Sequence, residues 1–80
     1  MKEIRLGYYE HYKGKFYEVI GVANHSETLE KLVVYKALYD MKNFGKDSLW
    51  VRPLEMFQET VNIDGREVPR FKYIGTDSPI

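Results

Sequence analysis

Two residues in the second half of the chain, Trp50 and Arg52, have side chains that could bind a ligand together. They are two positions apart, so on a β-strand both would lie on the same face. An indole stacks on planar groups and a guanidinium pairs with anions, as in the aromatic grooves of small β-barrels. We expect Tyr12 at the same groove. The structural alternative is that Trp50 fills the core while Arg52 pairs with Glu55 or Glu59.

A polar segment near the middle of the chain, His25-Ser26-Glu27-Thr28, is the second candidate site. A histidine beside a carboxylate and two hydroxyls could transfer protons or bind a phosphate. The same residue types are also those with which a tight connection satisfies its own backbone hydrogen bonds. We expect the turn-forming role for this segment and keep His25 as a candidate ligand-binding residue.

Basic residues suggest RNA binding as a second hypothesis. They gather near both predicted hairpins, as Lys13, Lys15, Lys31 and Lys36 near the first and Arg66, Arg70 and Lys72 near the last. If both groups lay on one face around Trp50, they would form an RNA-binding surface. A catalytic version, an acid/base ribonuclease, would use His25, Glu27 and Arg52 by analogy with toxin ribonucleases on similar barrels. Twelve acidic residues balance twelve basic ones, so net charge does not support a nucleic-acid partner.

The composition argues against several other classes of protein. With two histidines and no cysteine, the sequence has no metal-ligand pattern, thiolate nucleophile or disulfide, and we expect neither metal nor cofactor. Charged and apolar side chains alternate from the N-terminus, so we expect no signal peptide and no membrane span. These features favour a cytoplasmic protein. Eighty residues correspond to one domain, residues 1–80.

The element that would position these side chains is one long β-hairpin, residues 16–39. In each arm, one set of alternate residues is wholly apolar and the other set includes one charged residue. The apolar sets are Tyr17, Val19, Gly21 and Ala23 in the first arm and Val33, Tyr35, Ala37 and Tyr39 in the second. Opposite side chains share a face, so matching the sets places Glu18 beside Lys36 and the loop at residues 25–29. The same register predicts two further pairs, Gly21 with Val33 and Ile20 with Val34.

A helix over residues 26–41 is the competing interpretation of the second arm. Its apolar residues partly fit a helical period, and Ser26 could cap it. The run of two valines and a tyrosine at residues 33–35 favours a strand, because β-branched and aromatic side chains lose freedom in a helix. No Glu or Gln three residues after Ser26 completes a capping box. A helix here would give an α+β sandwich instead.

Shorter elements are predicted on either side of this hairpin. They are an edge strand at residues 4–8, a turn at 11–15, an exposed loop at 40–47, a strand at 48–52 and a helical turn at 53–57. Pro53 ends the strand because it lacks a backbone donor, and it suits the first position of a helix. Within the loop, we expect Phe44 to point inward.

A second hairpin is predicted over residues 58–74. Alternating residues lead into Asp64-Gly65, a dipeptide typical of two-residue hairpin turns, so Ile63 should face Arg66. Pro69 makes the return arm an edge strand or gives it a bulge. Residues 75–80 are expected to be a frayed tail. Together, about five short antiparallel strands and one helical turn predict a mainly β fold, a small and partly open SH3-like barrel.

Five ordered motifs resemble a known family. They are His11-Tyr12-Lys13-Gly14, His25-Ser26-Glu27-Thr28, Val33-Val34-Tyr35-Lys36-Ala37-Leu38-Tyr39, Leu49-Trp50-Val51-Arg52-Pro53 and Val68-Pro69-Arg70-Phe71. In this order they are similar to the small bacterial family called domain of unknown function 1653, over roughly residues 9–74. The resemblance implies an SH3-type barrel and no assigned activity, so it supplies no catalytic residue.

The many aromatic residues and the lack of a catalytic motif lead to one expectation for function. We expect a non-enzymatic binding or protein-interaction module whose groove, near Trp50, Arg52 and Tyr12, takes a protein, a peptide or a small ligand. The RNA binder or ribonuclease is the alternative.

Overall fold

The computed structural model describes residues 4–80. Within them lie seven strands and one short helix, in the order β1 (Gly7–His11), β2 (Phe16–Asn24), β3 (Lys31–Ala37), β4 (Leu49–Pro53), α1 (Leu54–Phe57), β5 (Thr60–Ile63), β6 (Arg66–Pro69) and β7 (Phe71–Gly75). The predicted domain also includes residues 1–3, which lie outside the described residues. No helix of residues 4–80 is long and apolar enough to cross a membrane.

Five of the strands form one antiparallel sheet in the order β4-β3-β2-β1-β7, and β5 and β6 form a separate pair. The mainly β class and the helical turn after β4 are confirmed. Because β4 and β7 remain the two edges of the sheet, the described residues form no closed barrel, in agreement with the partly open fold. The strand count is seven rather than about five.

The central hairpin of β2 and β3 is confirmed, and the helix over residues 26–41 is wrong. Glu18 pairs with Lys36 as predicted, and the two side chains form an ion pair with an N–O distance of 3.3 Å. The connection lies at residues 25–30, close to the predicted loop.

The predicted register is wrong beyond Val19. Gly21 faces Val34 instead of Val33, and Ile20 has no partner on β3, because a bulge at Ile20 shifts the pairing by one residue. Such a bulge moves every later side chain of the strand to the other face. Val22 therefore shares the face of Val33, and the predicted apolar face of β2 holds only for Tyr17 and Val19. Tyr39 lies beyond the end of β3.

Strand β1 is not the predicted edge strand, since it lies between β2 and β7. It can do so because β7 leaves the second hairpin and returns to the large sheet. At the junction of these strands, Gly7 has φ 132° and a Cβ at this position would lie 2.7 Å from the carbonyl oxygen of Gly75. Only glycine fits this close backbone approach without strain.

The second hairpin is shorter than predicted. Its turn is confirmed, with Ile63 facing Arg66 and with φ values of 52° at Asp64 and 80° at Gly65, as a type I′ turn requires. It ends at Pro69, where the ladder loses a donor, so β7 does not continue it. Residues 76–80 follow β7 without regular structure.

The core lies on one face of the five-stranded sheet, which we call the core face. Six buried side chains form it, namely Tyr9, Val19, Val33, Tyr35, Phe57 and Phe71. The helical turn α1 supplies Phe57, whose ring stacks on Phe71 with centroids 4.2 Å apart and planes 5° apart. Tyr9 meets the Phe57 ring edge-on at 5.3 Å. Phe44 does not point inward as predicted: its side chain is exposed and its ring meets Trp50 at 4.9 Å.

Replacing Phe57 with alanine tests the contribution of this stacked pair. Since Phe57 is fully buried, we expect Phe57→Ala to lower the free energy of unfolding by about 3–5 kcal/mol in urea denaturation. Phe44→Ala is the matched control, because the same side chain is removed from an exposed loop; the expected loss is about 0.5 kcal/mol or less. Equal losses in the two variants would show that α1 does not complete the core.

Candidate ligand-binding cluster

Arg52 lies on the core face of β4, next to the core residues Phe71 and Tyr35. In the sheet its residue partner is Val33, and Trp50 pairs with Tyr35 two positions earlier, so both side chains share the face of the buried residues. This confirms that Trp50 and Arg52 lie on one side of a strand. Arg52 and the aromatic side chains that contact it or one another beside it form what we call the Arg52 cluster. Its members are Arg52, His11, Tyr17, Tyr35, Tyr39 and Phe71.

The guanidinium of Arg52 is held by aromatic side chains. Its Cζ lies 5.7 Å from the centre of the Phe71 ring, and its Nε lies 3.5 Å from the hydroxyl of Tyr35. Among residues 4–80, no carboxylate lies within 4.0 Å of Arg52. The expected pairing with Glu55 or Glu59 is thus wrong, because Glu59 pairs with Arg70 at 3.7 Å instead. Arg52 is therefore a half-buried cation with no counterion in the described part of the chain.

The side chain of Trp50 is neither fully buried in the core nor fully exposed. It is half-buried, packs against the core and donates from its indole Nε1 to the hydroxyl of Ser48 at 2.9 Å. The edge contact with Phe44 covers another part of the indole. Trp50 thus forms the end of the core next to Arg52, and part of its ring remains accessible to a ligand.

His11 is a member of the cluster that sequence reasoning assigned only to a turn. Its ring lies 4.9 Å from Phe71, 6.2 Å from Tyr17 and 4.6 Å from Tyr12. Burial lowers the pKa of His11, and the positive charges of Arg70, Lys13 and Arg52 lower it further. Its Nδ1 accepts a hydrogen bond from the backbone N–H of Lys13 at 3.2 Å, which also requires an unprotonated nitrogen. Alternation with Tyr9 on β1 was the signal in the sequence that placed His11 on the core face.

Two tyrosines complete the cluster on its other side. The hydroxyls of Tyr17 and Tyr39 are 2.6 Å apart and share a hydrogen bond. Burial raises the pKa of Tyr17, and the hydrogen bond to Tyr39 raises it further. The ammonium of Lys15 lies 5.0 Å from the centre of the Tyr39 ring. Tyr17 is thus a neutral hydroxyl at physiological pH.

Tyr12 lies in the turn after β1 and reaches the cluster only through His11. Its ring is partly exposed, and Lys13 Nζ lies 5.8 Å from the ring centre. On its other side Tyr12 borders an open cleft of about 520 Å³ between β1 and the second hairpin. The cleft is lined by Glu10, His11, Tyr12, Ile63, Val68, Pro69 and Lys72. The structure therefore places Tyr12 between this cleft and the Arg52 cluster.

His25 is held in the turn between β2 and β3. Its Nδ1 accepts hydrogen bonds from the backbone N–H groups of Glu27 at 3.1 Å and of Thr28 at 3.3 Å. These contacts are those of a turn-forming residue. Within residues 4–80, His25 and Glu27 make no side-chain hydrogen bond or ion pair with Arg52, so the structure does not assemble the residues of the ribonuclease hypothesis. No group of three potential metal ligands lies together in the same range.

Comparison with known proteins identifies the family. A family model described as protein of unknown function (DUF1653) matches residues 7–73. The chain belongs to the DUF1653 family. A crystal structure of a DUF1653 protein from Bordetella bronchiseptica is 37% identical, with a TM-score of 0.85 over 98% of this chain and 96% of that chain. No curated protein matches this DUF1653 chain significantly, and the family supplies no activity.

The lowered pKa of His11 predicts a pH dependence of stability. The folded state binds the His11 proton less tightly than the unfolded chain does, whose histidine pKa is about 6.5. The neutral form of His11 therefore contributes fully to the stability of the folded state above about pH 6.5. This contribution is lost as the pH falls from there toward the lower pKa of the folded protein. We expect the Tm of the unaltered chain to fall more steeply between about pH 7 and 5 than the Tm of His11→Asn.

His25→Asn is the matched control for this measurement, because it removes the only other histidine. If all three proteins show the same dependence of Tm on pH, the altered titration of His11 is contradicted.

Proposed function

We propose that this DUF1653 chain is a non-enzymatic binding module that takes an anionic group of its ligand at the Arg52 cluster. The observation that carries the proposal is the half-buried guanidinium with no carboxylate partner in the described residues. Removing a charge partly from water costs free energy unless the charge is paired. A carboxylate or phosphate that pairs with Arg52 should therefore bind more tightly than at an exposed arginine. The planar guanidinium also presents several donors to one anion.

The surroundings of Arg52 favour a ligand that is planar or apolar beside its charge. Aromatic rings of the cluster and the accessible part of Trp50 offer surfaces for stacking. Lys15 lies over the Tyr39 ring of the cluster and Lys13 lies over the neighbouring Tyr12 ring, so both place further positive charge nearby. The acidic side chains of a protein or peptide, next to apolar residues, meet these requirements, and we propose such a segment as the partner.

We also propose that the module works in a bacterial cytoplasm. The lack of cysteine suits a reducing compartment, and the similar crystal structure is that of a bacterial protein.

Single-stranded RNA is the second candidate ligand, because three basic side chains border aromatic rings in this region. These are Lys13, Lys15 and Arg52. Bases stack on aromatic side chains while basic groups hold the backbone. The overall charge of zero weakens this alternative, since binding of a phosphate backbone depends on an excess of positive charge.

Titration with benzoate, a small planar anion, tests the proposed site by NMR. A bound carboxylate would offset the charge of Arg52, one of the charges that lower the pKa of His11, so we expect benzoate to raise the pKa of His11 and leave the signals of His25 unchanged. Arg52→Gln should weaken binding about tenfold or more, as expected for loss of a charge-assisted hydrogen bond.

Arg66→Gln is the matched control, because Arg66 is exposed on the second hairpin and should not affect benzoate binding. Benzamide, which is uncharged but has the same ring, should bind more weakly than benzoate. Binding that is equal for benzoate and benzamide, or unchanged by Arg52→Gln, contradicts an anion site at Arg52. An eight-nucleotide uridine oligomer that binds in low salt while benzoate does not would support the RNA alternative instead.

A further inference from the structure

Strand β4 is one edge of the five-stranded sheet, with β3 on one side only. The backbone N–H of Ala37 donates to the carbonyl of Ser48 at 2.9 Å, and in an antiparallel ladder the bonded positions alternate along the strand. The backbone groups of Trp50 and Arg52 therefore point toward β3. Those of Leu49 and Val51 point away from the sheet, where an added strand could pair with them.

The side chains that β4 exposes on the face opposite to Arg52 are apolar, which is unusual for an edge strand. Leu49 and Val51 are 61% and 58% exposed and lie on the face opposite to Arg52. Natural edges are commonly protected by charged residues or prolines along the strand. The other edge, β7, carries the exposed Lys72, whereas the one charged residue of β4, Arg52, lies on the core face and Pro53 lies only at the end of the strand.

We propose that β4 binds an extended segment of a partner protein as an additional strand, with an acidic side chain of that segment opposite Arg52. Backbone pairing would use Leu49 and Val51, and apolar residues of the segment would cover their side chains. Residues directly opposite on paired strands share a face and lie close enough for side-chain contact. The inference rests on the proposed anion site at Arg52, and it adds the conformation and the sequence pattern of the ligand.

Charge complementarity favours an acidic segment over a second copy of this chain. In a symmetric antiparallel pair of two β4 strands centred on Val51, Arg52 would face Trp50 of the other copy rather than a carboxylate. Peptides that add a strand to an exposed sheet edge gain affinity from the main chain and specificity from alternate side chains. Alternating acidic and apolar residues fit both faces of β4.

Amide hydrogen exchange measured by NMR tests the inference. The probe is a capped seven-residue peptide of alternating valine and glutamate, and the control peptide has glutamine in place of glutamate. With the acidic peptide at saturation, we expect exchange of the Leu49 and Val51 amides to slow about tenfold or more, because their amides become hydrogen-bonded. The amides of Trp50 and Arg52, already bonded to β3, should change less.

A pair of variants separates strand addition from binding by the side chain of Arg52 alone. Val51→Pro removes the outward N–H without removing a bond to β3, whereas Val51→Ala keeps it. We expect Val51→Pro to abolish peptide binding and Val51→Ala only to weaken it through the smaller side chain, while both variants retain the response of His11 to benzoate. If Val51→Pro does not fold, exchange in the unaltered protein still decides the question.

Three results overturn the inference. The first is a peptide that shifts His11 without protecting Leu49 and Val51, which leaves the anion site intact but removes the added strand. The second is protection that depends on protein concentration without peptide, which identifies a second copy as the occupant. The third is equal protection by the glutamate and glutamine peptides, which removes the role of Arg52. If benzoate also fails to affect His11, the proposed function fails with it.

Discussion

The structure depends on aromatic packing over one face of a five-stranded sheet. The helical turn α1 has four residues, and its one fully buried side chain, Phe57, stacks on Phe71 and meets Tyr9 and Tyr35. In a chain of 80 residues a few large rings can fill a core that smaller side chains would leave incomplete. The same packing brings the end of β4 next to Phe71, and so it positions Arg52.

The Arg52 cluster follows from where this packing stops. Beyond the buried rings, the core face continues with side chains that combine an apolar body and a polar end, such as Tyr17, Tyr39 and His11. Arg52 lies among them without a carboxylate partner in the described residues, whereas Glu18 and Lys36 on the opposite face form an ion pair. The difference between these two faces is the physical basis for our proposal that a ligand binds at the core face.

The sequence was sufficient to predict the central hairpin, because the one charge in each arm had to lie opposite the other. It could not predict the bulge at Ile20, since Ile20, Gly21 and Val22 are all uncharged and an inserted residue leaves no charge on the wrong face. The interior position of β1 was also hidden. Its pairing with β7 joins residues far apart in the sequence, and the alternation of apolar residues over residues 4–8 resembles that of an edge strand.

The site was predicted in part. The shared face of Trp50 and Arg52 follows from their spacing of two, but the partner of Arg52 was assigned by proximity in sequence, and Glu59 pairs with Arg70 because their backbones are hydrogen-bonded. His11 was missed because its contacts with Tyr17 and Phe71 depend on the positions of β2 and β7. Alternation with Tyr9 indicates only the face on which His11 lies, because contacts between distant segments have no local signal in the sequence.

The central claim is that Arg52 is an aromatic-bound cation that lacks a counterion among residues 4–80. A crystal structure of the protein with bound benzoate tests it most directly. The account predicts the carboxylate within about 3 Å of the guanidinium nitrogens of Arg52, with the rings of the cluster unmoved. A carboxylate of the protein itself paired with Arg52, with benzoate bound elsewhere or not at all, would contradict it.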